Sequence, residues 1–144
     1  SRLAMPLAPE LKQLTIKLGA VKRTKKEYEA YLKEEVAQRA KIEEMKAKTG
    51  KSEEDEALIK KQVEILNETL TVTPDTRQRL RQYSAELGEY LVQSHKDIEI
   101  PAEAPEAGSE VALVLEARQL LKDTDQILGT ETAEKEDAVE GADV

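Results

Sequence analysis

Apolar positions recur at helical spacing through most of the chain, and the clearest run lies in residues 58–91. There Ile59, Val63, Leu66, Leu70, Thr73, Arg77, Leu80, Ser84, Leu87 and Leu91 follow one another by alternating steps of four and three. That is a heptad seam, which places every one of these residues on one stripe of a helix. Pro74 interrupts it chemically. Proline has no backbone donor and crowds the preceding turn, so the pattern predicts a bend there. The restart would have Thr73 as N-cap, Pro74 at the first helical position and Asp75 near the positive helix end. The seam keeps its phase across the proline, so both halves can face one surface.

Upstream, Leu11, Leu14, Leu18, Val21, Tyr28, Leu32 and Ile42 form a second seam, flanked by Tyr31, Val36 and Met45. Between the two seams lies Thr49-Gly50-Lys51-Ser52. Gly50 suits a left-handed helix stop, Ser52 suits an N-cap, and Glu53, Glu54, Asp55 and Glu56 follow where a helix dipole favours acids. A turn this short between two long amphipathic segments predicts an antiparallel hairpin. Residues 95–108 hold two prolines and a glycine without periodicity and read as a loop. Ser109 then caps a third helix. Val111, Val114, Leu121 and Leu128 form one of its stripes, and Leu113, Leu120 and Ile127 form another. So wide a face suits a helix lying in the groove between two others.

The expected fold is all-α: an elongated, spectrin-like antiparallel three-helix bundle with coiled-coil packing. Its helices fall at about residues 10–48, 53–94 and 110–128, with the middle one bent at Pro74. Residues 1–9 read as a flexible entry. Gly129 reads as a stop, and residues 129–144 as an acidic, disordered tail.

Composition narrows the chemistry. The 144 residues include 3% aromatics, no Phe or Trp, and 36% charged residues, which favours a thin helical bundle over a thick layered core. With no cysteine and only His95 as histidine, thiol chemistry and His or Cys metal clusters have no ligands. His95 falls at the end of the second helix, where its cation would suit the dipole. The carboxylate runs have no pocket to make acid–base pairs of them, so no enzyme activity and no cofactor are expected. No apolar run approaches the ~20 residues that span a bilayer. The opening SRLAMPLAPE lacks the apolar core of a signal peptide, and a cytoplasmic protein is expected. Charge is uneven: residues 1–94 carry 18 basic and 16 acidic groups (+2), residues 95–144 carry 4 and 14 (−10).

Three segments carry a family resemblance. IKLGAVKR (residues 16–23), IKKQVEIL (59–66) and TPDTRQRL (73–80) resemble tubulin-binding cofactor A in sequence, order and spacing, and EARQLL (116–121) fits less distinctively. The resemblance covers roughly residues 10–122 and rests on Gly19 inside a basic helix and Pro74 at a fixed place, which heptads do not require. It implies a three-helix fold and a cytoskeleton-associated role in tubulin biogenesis. In that role β-tubulin is captured after release from the chaperonin, held, and passed to other tubulin-folding cofactors for α/β heterodimer assembly, without nucleotide or covalent chemistry. A general helical scaffold or adaptor is the alternative.

Two surface stripes are candidates for binding. Lys12, Ile16, Gly19, Arg23 and Lys26 lie opposite the leucine seam of the first helix. Gly19 would admit a partner backbone, Ile16 would anchor it, and the cations would rim it; the competing reading is a solvated basic face. Acidic tubulin surfaces would complement this stripe. No aromatic or base-reading residue accompanies the lysines, so neither nucleic acid nor a membrane is the expected partner. On the second helix Leu58, Ile65 and Val72 repeat every seven residues off the seam, bordered by Lys60, Lys61, Arg79 and Arg81. They would meet a client or a second protomer, or else pack against the third helix, so the chain could be a monomer or a homodimer. Glu35 with Arg39 or Arg77 is expected to form a register-setting polar layer between helices.

Overall fold

A computed structural model of the protein describes residues 8–142, with side chains up to residue 129. Of the expected flexible entry over residues 1–9, residues 1–7 lie outside the described residues, and Pro9 already belongs to the first helix. The fold is all-α, with helices α1 (Pro9–Ala47), α2 (Glu53–Ser94) and α3 (Glu110–Ala142) and no strand among the described residues. The helix ends follow local chemistry. Pro9 opens α1 at the position where a missing donor costs nothing. Gly50 takes φ +65° after α1, and Gly108 takes φ +80° before α3, conformations that glycine adopts without strain. At the start of α2 the Asp55 N–H donates to Ser52 Oγ (3.1 Å) while the Ser52 N–H donates to Asp55 Oδ2 (3.0 Å). This is a reciprocal capping box with aspartate in the third position. Ser109 Oγ accepts from the Ala112 N–H (3.2 Å) and caps α3.

Two expectations about these helices are corrected. α2 runs without interruption through Pro74, so the chain does not restart there and Thr73 is no cap; nor is the expected bend shown. Thr73 is buried, and its hydroxyl donates back to the Thr69 carbonyl at 2.6 Å. Thr69, Thr71 and Thr76 make the same bond to the carbonyls of Ile65, Asn67 and Val72. These hydroxyls add hydrogen bonds around the gap left by the proline, whose ring is exposed. The local cost of about 3 kcal/mol is offset because Leu66 and Leu80, on either side of the gap, are both buried on the seam. The second correction concerns Gly129. It lies inside α3, without the positive φ that a stop would use. A glycine within a helix costs only about 1 kcal/mol relative to alanine, and the Glu, Ala and Lys that follow are good helix formers. The side chains of the expected acidic tail, and residues 143–144 entirely, lie outside the described residues.

The chain divides into two compact units, Ser1–Arg23 with Arg81–Val144, and Thr24–Leu80. The first holds parts of all three helices. Leu14, Leu18 and Val21 of α1, Leu87 and Leu91 of α2, and Val114, Ala117 and Leu128 of α3 form its core. Tyr90 ties α2 to the start of α1 by donating its hydroxyl to the Glu10 carbonyl (2.8 Å), with Lys17 Nζ 5.7 Å from its ring centre. Lys22 pairs with Glu116 of α3 at 2.7 Å.

The second unit is a hairpin of α1 and α2. Its buried residues are Tyr28, Ile42, Leu66 and Leu80, with Thr24, Thr69, Thr73 and Thr76. Arg79 pairs with Glu27 at 3.2 Å, and Lys48 with Asp55 at 3.4 Å, as expected for two antiparallel helical arms. Every seam residue of α2 is buried or half-buried along its whole length. Val36, expected at the flank of the α1 seam, is exposed instead. Glu35 and Arg39 pair with each other at 3.0 Å one turn apart on α1. A pair within one helix sets no register between two, so this pair does not form the inter-helix layer expected of Glu35 with Arg39 or Arg77.

Candidate functional site

The α1 stripe emerges on the solvent side, as its spacing predicts. Lys12 and Arg23 are exposed, Ile16 keeps 52% of its surface and Gly19 is half-buried. Lys26 is exposed as well, but belongs to the hairpin unit. Among the described residues none of Lys12, Arg23 and Lys26 has an ion pair, whereas their neighbours Lys22 and Lys25 are held by Glu116 and Glu29. The structure changes the reading of Gly19. A methyl group built there would meet Arg23 Nη1 at 3.0 Å, so the space above the glycine already holds the guanidinium of Arg23. A helical side chain leans toward the helix N-terminus and covers the preceding turn; with no side chain at Gly19, Arg23 can lie flat there.

The α2 stripe is partly as expected. Leu58 and Val72 keep 52% and 39% of their surface and Ile65 is half-buried. The cations on its border are less free. Lys61 lies 3.9 Å from Glu64. Arg79 donates both to Glu27 and to Thr76 Oγ1, each at 3.2 Å, so it clamps the hairpin from within.

His95 is a residue whose setting the sequence did not suggest. It is buried just beyond α2, with Nδ1 2.9 Å from Glu110 Oε1 and its ring centre 5.5 Å from that of Tyr90. It ties the end of α2 to the first turn of α3. A shallow groove of about 370 Å³ on α3 is lined mainly by Pro105, Ala112, Leu115 and Leu120, with the Lys22–Glu116 pair at its edge. Among the described residues no three His, Cys, Asp or Glu side chains gather as metal ligands, and no helix is long and apolar enough to cross a membrane. What the surface offers is contact: on α1 an exposed isoleucine in line with cations that have no ion pair among the described residues, and on α2 an exposed leucine and valine.

Comparison with known proteins agrees with this architecture. The family model of tubulin binding cofactor A matches residues 9–112. Tubulin-specific chaperone A of Bos taurus is 42% identical over 99 residues, covering 69% of this chain and 87% of that protein. The Gallus gallus protein of the same name is 43% identical over 101 residues, covering 70% and 89%. Among solved structures, human tubulin chaperone cofactor A superposes with a TM-score of 0.61 at 35% identity, covering 81% of this chain and 99% of the other. Tubulin folding cofactor A of Arabidopsis thaliana gives 0.63 at 26% identity, covering 81% and 96%. Three helices with an intact proline-bearing α2, a basic glycine-containing face on α1, and a match over most of the chain together place this protein in the tubulin binding cofactor A family.

Proposed function

We propose that the protein is a non-enzymatic tubulin-folding chaperone that captures β-tubulin on its helical surface. It holds the subunit until other tubulin-folding cofactors take it into the α/β heterodimer, acting in the cytoplasm beside the cytoskeleton. The family match over residues 9–112 carries this reading. The exposed faces support it: Lys12, Ile16, Arg23 and Lys26 on α1, and Leu58, Ile65 and Val72 on α2, are the contact residues. An exposed apolar side chain in line with cations that have no ion pair among the described residues suits a folded or nearly folded client with a mixed acidic and apolar surface. It requires no nucleotide, because holding a client only needs binding that is reversed when a competing surface takes over.

The test is direct. Incubation with β-tubulin followed by native electrophoresis should give a retarded complex, and the absence of one under folding-assay conditions would sink the proposal. Ile16→Glu should weaken capture while leaving helicity and melting unchanged, because the side chain is already half in water.

A further inference from the structure

Arg23 is set apart from the other cations of its helix by three observations. Its guanidinium rests over Gly19, where a β-carbon would stand 3.0 Å from Nη1. It has no carboxylate partner among the described residues. Glu27, one turn on and correctly spaced for an ion pair along the helix, is taken by Arg79 at 3.2 Å. And Ile16, half-exposed, stands one turn before Gly19 on the same stripe. The folded-back guanidinium and the isoleucine therefore share one patch of α1, with no side chain at Gly19 to separate them.

We infer that Arg23, laid over Gly19 beside Ile16, is the receptor for a client carboxylate that lies next to an apolar side chain. This rests on the proposed role as a tubulin chaperone and gives that client surface a chemistry: an acidic residue with an aliphatic or aromatic neighbour within a turn or so. A guanidinium presents a planar fork that grips a carboxylate through two parallel bonds, which an ammonium cannot do. Arginine is also among the residue types that dominate interface energetics. Lying flat on the helix, it has already lost part of the freedom that a long side chain surrenders on binding, and such preorganisation raises affinity. Gly19 thus serves the arginine. It is the space in which the guanidinium lies, and not an opening for a partner backbone.

The test titrates β-tubulin against the intact chain and three variants, with melting recorded for each. Arg23→Ala should melt like the parent yet bind about tenfold more weakly or worse. Arg23→Lys restores the charge without the fork and should remain at least about threefold weak. Gly19→Ala pushes the guanidinium aside and should weaken capture about two- to threefold while melting no lower. Binding should also weaken with salt, and less steeply for Arg23→Ala than for the parent. If the parent captures β-tubulin and Arg23→Ala captures it equally well, the inference is overturned and the chaperone role stands. Full rescue by lysine overturns the carboxylate fork, and unchanged capture by Gly19→Ala overturns the role given to the glycine. Failure of the parent to bind overturns the underlying function instead.

Discussion

Both compact units are built on α1 and α2, but only one also contains α3, and their interiors are filled differently. Where three helices meet, the central line is closed from every side. Leu14, Val21, Leu87, Val114 and Ala117 reach 0% exposure there, against Tyr28 and Leu80 in the hairpin. In the hairpin, two helices touch along one line, and residues beside that line stay partly exposed, among them Leu32, Ile59, Val63 and Leu70. Threonine recurs at the contact line itself: Thr24, Thr69, Thr73 and Thr76 are buried in the hairpin, against Ser84, His95 and Thr124 in the three-helix unit. A threonine is narrow enough to let two helices approach, and its hydroxyl can be satisfied by the carbonyl four residues back. One sequence pattern therefore yields a core where a third helix is present and a thin, partly polar seam where it is absent. Leu58 and Val72, left exposed on the hairpin, follow from the same geometry.

The largest expected effect separates the two interiors directly. Leu87→Ala, at a fully buried site of the three-helix unit, should cost about 3–5 kcal/mol in urea denaturation, because the cavity has packed walls on all sides. Leu66→Ala in the hairpin, at 8% exposure, should fall near about 2 kcal/mol, since water and mobile side chains can refill the space. Equal losses, or a larger loss at Leu66, would break the contrast drawn between the two units.

The second test asks what the buried threonines contribute. At Thr73 the hydroxyl is bonded to its own helix, so the methyl group is what the partner helix meets. Thr73→Ser removes that methyl and should cost about 1 kcal/mol. Thr73→Val keeps the shape and exchanges a self-satisfied hydroxyl for a second methyl, which should stay within about 1 kcal/mol of the parent. Thermal melting of the two variants decides it: a valine variant less stable than the serine variant would mean that the hydroxyl, and not the methyl, holds the seam.

These cases also mark how far the sequence alone reaches. The α2 seam was legible throughout because period is a property of the whole stretch, and its ten residues are all turned inward. Gly50 was legible because a left-handed helix end leaves glycine as the ready solution. The restart expected at Pro74 does not occur because its local penalty is fixed, whereas the burial of Leu66 and Leu80 that outweighs it depends on a partner helix. Thr69 and Thr76 fell outside the apolar pattern because a back-bonded hydroxyl hides its polarity only once the helix exists. On the candidate surface, exposure of the α1 stripe followed from spacing, but the choice of partners did not. Glu27 could have paired with Arg23 along the helix and is instead held by Arg79, and that choice leaves Arg23 free to lie over Gly19. His95 gave no signal beyond its position, since its partner Glu110 stands fifteen residues away across a loop without periodicity.

The smallest expected effect concerns the turn that closes the hairpin. The Asp55 carboxyl is held below its ordinary value, first by the Ser52 backbone N–H and then by the Ser52 hydroxyl; slight desolvation opposes them, and Lys48 adds a further lowering. A carboxyl whose folded value is depressed stabilises the fold fully above its unfolded value, about 3.9. That contribution is lost as pH falls through the lower, folded value. Asp55→Asn keeps the shape of the capping box and removes the charge. The difference in melting between parent and variant should therefore be constant from about pH 7 to about pH 5, shrink below about pH 4, and vanish once the parent carboxyl is protonated. Because Asp55 lies at the surface, the difference should be smaller than either core effect. It should also be local: amide exchange should quicken in the first turn of α2 and remain unchanged in the first turn of α3, where Ser109 is the cap. A gap that persists undiminished at low pH would show that the charge of Asp55 is not its source. The hairpin would then owe the stability of its turn to Gly50 and Ser52, with no share from the charge of Asp55.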